Sequence, residues 1–353
     1  MKRNGYIDII KFFFAIVVAE FHLNTGVFTN GRVAVDGFFM ISGYLMMRSA
    51  AKELNPEENI GTSTVRFLWR KYISLFVILF PSVIFGSIVN AVSRSFSVSE
   101  YCKNVPLLIF EIFPLFTAGF KGWYVVGISW YLSSMFIALA ILYPFLRKFK
   151  DSGLLVVCPL IAIFGYGLLS GFYGNIAIGS TFIEGTIIHT GVVRGLAGCA
   201  LGSLIFAIHK KIITLELKPF AKASFTVVEI ITFILFILGA CGCFRGKYDY
   251  FTVIATFVML TIGISGSSYS SVFFNNKRTN FIGVASTLIV LNHYYWLPLL
   301  KTLIPDGLKD ARFVSIYIGA TAVSCVIVYL ASKLLRAFAS KLSNKKLWYN
   351  KNK

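Results

Sequence analysis

The chain has 353 residues, of which 57% are hydrophobic and 16% aromatic, with a mean hydropathy of +0.75. That balance excludes an ordinary soluble domain and predicts an integral membrane protein. The net charge of +19, from 34 Lys and Arg against 15 Asp and Glu, is scattered over many short loops. Nucleic-acid binding, which calls for a clustered basic face, is not expected.

Taken in chain order, apolar runs predict about ten spanning helices, near 6–24, 31–49, 72–92, 126–146, 153–171, 191–209, 224–243, 249–265, 280–300 and 313–335. The N-terminal Met-Lys-Arg-Asn and the apolar run after it superficially suggest a signal peptide. Asp8 and Lys11 interrupt that run, and a retained first span is expected. A further apolar piece near 105–120 contains Pro106, Glu111 and Pro114, which predicts a re-entrant or interfacial segment. With the N-terminus inside, 23 of the 34 Lys and Arg fall on the inner side and 9 on the outer. This is a positive-inside distribution with both termini cytoplasmic. The fold class expected is all-α: a polytopic transmembrane helical bundle over 1–335, followed by a basic cytoplasmic tail over 336–353 that can lie on an anionic leaflet.

The six cysteines are scattered with no CxxC, so buried free thiols are expected and no metal site. Ser42-Gly43 lacks a Gly-x-Ser-x-Gly elbow and reads as a packing element.

The chemistry concentrates between Asp8 and Leu45. The first predicted span carries Asp8, Lys11, Glu20 and His22, and ionisable residues inside a span are functional candidates. At about 100° per residue, Asp8, Lys11 and His22 share one stripe, and Glu20 lies on the opposite face. The rise from Lys11 to His22 is about 16 Å. Topology places His22, Asp36, Trp130, Tyr131, Arg194 and His293 at similar depth toward the outer leaflet. His189 and His209 read as bystanders.

Several motifs carry a resemblance. Lys11 and His22 are separated by ten residues; the second span reads GRVAVDGFFMISGYL; Trp130, Tyr131 and Leu132 lie in ISWYLSS; Arg194 lies in GVVRGLAGCALG; and His293 lies in LNHYYWLP. In this order they resemble the membrane acyltransferase-3 family, O-acetyltransferases of bacterial surface glycans. FLWRKYISLF around Arg66 resembles a further basic element of that family, with Arg70 and Lys71 as its paired bases and Ser74 where a third base is usual.

The resemblance implies an O-acyltransferase in a bacterial plasma membrane. Its donor would be cytoplasmic acetyl-CoA, with no metal, and its acceptor a glycan or lipid-linked saccharide at the outer face. His22 would then activate the acceptor hydroxyl or transiently carry the acyl group. Asp8 and Lys11 would line the passage of the acyl donor. Arg194 would bind the donor or stabilise an oxyanion, or else pair with Asp36 or a lipid phosphate. Trp130 and Tyr131 would stack on a sugar or on the donor, and Asp36, His293 and Arg70 complete the candidate substrate-binding set. Other acyl groups, small-molecule acceptors and a proton-coupled secondary transporter are the alternatives. The transporter reading predicts inverted repeats, and none is evident.

Overall fold

The computed structural model describes residues 4–52, 58–274, 279–304 and 310–351. Among these residues the chain is helical, and its one β-bridge joins Phe182 to His189. The helices are α1 (Gly5–Leu23), α2 (Ala34–Ala50), α3 (Ile60–Ser93), α4 (Val98–Asn104), α5 (Ile109–Ile112), α6 (Ser129–Ser152) and α7 (Cys158–Tyr173). They continue with α8 (Thr190–Ile212), α9 (Pro219–Ala240), α10 (Asp249–Ser265), α11 (Tyr269–Phe274), α12 (Thr279–Asn292), α13 (Trp296–Leu303) and α14 (Ala311–Lys351).

Among the described residues, six helical stretches are long and apolar enough to cross a membrane. They are α3, the joined α6–α7, α8, α9, the stretch ending in α10, and α14. The joined stretch Ser129–Tyr173 has 45 residues and contains two of the spans expected from sequence. Helix α1 falls outside the six because Asp8, Lys11 and Glu20 interrupt its 19 residues, whereas α2 and α12 have only 17 and 14 residues. The chain is therefore an all-α, multi-pass membrane bundle. Its periphery fits that setting: Phe164 and Phe172 on α7 and Leu334 and Phe338 on α14 are exposed, as lipid-facing side chains must be in hydrocarbon.

Helix ends follow local chemistry. Asn4 caps α1 by accepting from the Tyr6 amide, and Asn24 ends that helix in a left-handed conformation. Ser97 and Glu100 form a reciprocal capping box on α4. The segment near 105–120 is broken into short turns, with α5 only four residues long, as its two prolines predict. Buried Glu111 ties it down by accepting from the Val125 amide (2.8 Å), the Val126 amide (3.0 Å) and the Ser129 hydroxyl. The basic segment after residue 335 continues α14 as helix to Lys351. Among the cysteines, all free, Cys158 and Cys199 are buried while Cys102 and Cys243 are exposed.

The seam that positions the site joins α2 and α8. Both carry small residues at the contact, and neither Gly43 nor Gly202 has room for a Cβ, because the Cys199 and Met40 carbonyls lie against them. The helices run parallel: Asp36 meets Arg194, Phe39 meets Gly198 and Tyr44 meets Gly202. Close backbone approach is what brings the polar first turns of the two helices to one level.

Candidate active site

Two cavities open along α1. The first, about 470 Å³, is lined by Lys11, Ser42, Lys71, Ser74, Tyr131 and Arg336 among others. The second, about 600 Å³, is lined by His22, Arg32, Ser129, Trp130, Arg194 and Tyr294 among others. Phe38, Ile128, Tyr131 and Val290 line both, so these four side chains form a common wall. The helical stripe foreseen on α1 joins the two chambers: Lys11 faces one and His22 the other. Val18 of the same stripe lines the His22 chamber.

His22 sits in the last turn of α1, half-buried. Its ring lies 5.3 Å from the ring of His293 and 5.1 Å, edge to face, from that of Tyr294. The turn after it is held by Glu20, whose carboxylate accepts from the Phe28 amide (2.7 Å), the Val27 amide (3.2 Å) and the Thr25 hydroxyl. Glu20, on the face opposite the stripe, thus shapes the α1–α2 turn. His293 follows the last residue of α12 and is fully buried. Helix α12 packs along α1, with the Ser286 hydroxyl donating to the Lys11 carbonyl (2.9 Å).

Arg194 is 1% exposed and Asp36 is completely buried. The guanidinium meets the carboxylate with two bonds, Nε to Oδ1 (3.0 Å) and Nη2 to Oδ2 (2.7 Å). It also donates to the Ala177 and Arg32 carbonyls (both 2.7 Å). The Tyr166 hydroxyl donates to Asp36 (2.9 Å), and the Arg194 guanidinium carbon lies 5.6 Å from the centre of a Trp130 ring. Of the roles considered for Arg194, pairing with Asp36 is the one the structure displays. The fork geometry satisfies both charges in a buried setting. Arg32 continues the polar patch, donating to Asn30 (3.1 Å), which in turn donates to buried Asp249 (2.7 Å).

The sequence candidates separate cleanly. His22, Trp130, Tyr131 and Arg194 line the second cavity; His293 stacks against it through His22, and Asp36 backs it through Arg194. Lys11 lines the first cavity. Asp8 is buried beneath it and lines neither chamber. Arg70 is on the exposed side of α3 and lines neither chamber, whereas Lys71 faces the first cavity. Adjacent helical residues diverge by about 100°, so only one of the pair can face inward. The stripe Lys71, Ser74, Leu75 and Ile78 is the inward one. Sequence reasoning missed Arg336, assigned to a tail, and Arg32, which was not among the candidates. The signal for Arg336 was the lack of any glycine or proline between Gly319 and the C-terminus to end the last helix.

His189 caps α8: its Nδ1 accepts from the Gly191 amide (3.1 Å). Burial pushes this imidazole down from 6.5 to about 4, so it stays neutral and keeps its acceptor. A depressed folded-state value means the proton binds the unfolded chain preferentially. Stability from His189 is complete above pH 6.5 and is lost as the pH falls toward about 4. His189→Asn keeps a capping acceptor without the titration. Its thermal unfolding midpoint in detergent should match wild type at neutral pH and exceed it near pH 4.

The geometry defines a membrane protein with a histidine-bearing chamber and a base-lined chamber sharing one wall. The model of the acyltransferase-3 family, described as an acyltransferase domain, matches residues 4–332. The chain belongs to that family and is an acyltransferase. No curated protein and no solved structure matches it.

Proposed function

We propose that this acyltransferase moves an acetyl group from cytoplasmic acetyl-CoA to a hydroxyl of a cell-surface or lipid-linked glycan, across a bacterial plasma membrane. The observation that carries the reading is the common wall between the two chambers. A donor in the first chamber and an acceptor in the second meet there, beside His22. The positive-inside charge distribution supports a cytoplasmic Lys11 chamber.

Lys11, Lys71 and Arg336 line that chamber, and no Asp or Glu does so among the described residues. Such a lining suits the phosphates of a coenzyme A. The aromatic and hydroxyl lining of the second chamber suits a sugar. His22 takes the acceptor hydroxyl proton, the oxygen attacks the thioester carbonyl, and the carbon–sulfur bond breaks. The thiolate leaves with that proton, so the products are an ester and free coenzyme A.

The test uses inside-out membrane vesicles carrying the chain, given radiolabelled acetyl-CoA. Label should enter saccharide-bearing material as a base-labile ester, only when the chain is present. Label that enters from succinyl-CoA and not from acetyl-CoA would overturn the acetyl assignment. Label in neither case would overturn the glycan reading.

A further inference from the structure

Behind His22, outside the chamber lining, lies a second imidazole whose hydrogen bonding dictates its tautomer. Nδ1 of His293 lies 3.0 Å from the Ile289 carbonyl and 3.0 Å from the Val290 carbonyl. Both partners are acceptors, so the ring proton resides on Nδ1 and Nε2 offers only a lone pair. Nε2 is buried and has no hydrogen-bond partner among the described residues. A buried polar atom without a partner is costly, and cores retain one where it serves a purpose. The polar ring beside it is His22, with 5.3 Å between centroids and planes 36° apart. At that separation, ring nitrogens turned toward each other come within hydrogen-bond reach.

We infer that His293 is a positioning residue for His22, accepting its N–H through Nε2 and presenting the other His22 nitrogen to the acceptor hydroxyl. This rests on the reading of His22 as the base. A neutral imidazole that takes up a proton carries two N–H groups, and the one turned away from the acceptor hydroxyl needs an acceptor of its own. Nε2 of His293 provides it. His293 neither gains nor loses a proton in the cycle: the hydroxyl proton goes to His22, then to the departing thiolate. The arrangement resembles the logic of a hydrolase triad, in which a third group orients the base, with a neutral ring in place of a carboxylate. It also explains why two histidines share an apolar setting that otherwise disfavours both.

The test is a double-mutant cycle on transfer from acetyl-CoA, in membranes with matched amounts of protein. His293→Leu should lower kcat by about 10²-fold while KM for acetyl-CoA stays unchanged. His293→Gln should recover at least about tenfold of that loss, because its amide N–H can bond the two carbonyls while its oxygen accepts from His22. In a His22→Ala background, His293→Leu should cost nothing further. Equal losses for Leu and Gln, a change in KM alone, or the same His293→Leu loss in both backgrounds would overturn the positioning role. Unchanged transfer by His22→Ala alone would instead overturn His22 as the base. If the Leu variant does not accumulate in the membrane, the Gln variant and the His22→Ala pair still decide.

Discussion

His22→Ala should reduce acyl transfer by about 10²- to 10⁴-fold, the range a positioned base contributes, without reducing the amount of protein in the membrane. The second half of that expectation follows from packing. His22 is half-buried in the lining of a chamber, and its loop is anchored by Glu20 and not by the imidazole. Truncation removes the base and leaves the turn intact. The measurement is the initial rate of ester formation per mole of protein extracted. A rate near wild type would show that the hydroxyl is activated by another group of the chamber.

The second large effect concerns stability. Asp36→Ala should lower the free energy of unfolding by about 3–5 kcal/mol, the cost of leaving one member of a buried ion pair alone. Arg194 loses two of its four hydrogen bonds, and the carboxylate that faced its charge directly is gone. Tyr166 loses its acceptor in the same step. Detergent-extracted protein should unfold at a clearly lower temperature and accumulate poorly. Replacing both partners together, as Asp36→Leu with Arg194→Met, should recover much of the loss, since no charge is then stranded. If the double replacement is as unstable as Asp36→Ala, the pair does more than neutralise itself. The remaining Arg194 contacts, to Ala177, Arg32 and Trp130, would then be what holds the chamber.

The helical class, the broken segment near 105–120 and the α1 stripe were legible because each depends on local spacing. Ten residues between Lys11 and His22 put both on one face whatever surrounds them. Of the residues expected at similar depth, His22, Trp130, Tyr131 and Arg194 line one chamber, because a helix converts sequence position into height. Lateral choices were not legible. Whether Arg194 faces a substrate or Asp36 depends on the α2–α8 seam, which two glycines permit and no single helix reveals. The choice of Lys71 over Arg70 depends on the rotation of α3 about its own axis. Arg336 entered the first chamber because α14 does not stop where the apolar run does.

The wall shared by the two chambers bears on the energy of the cell that holds it. Of Phe38, Ile128, Tyr131 and Val290, only the tyrosine carries a side-chain polar atom, and its hydroxyl turns toward the Met135 sulfur, 3.7 Å away. An apolar wall of this kind sheds water, and without water neither protons nor ions pass. An uncharged acyl group pays no such penalty. On the proposed route, the same four side chains that let a small ester fragment change sides would keep the membrane charged.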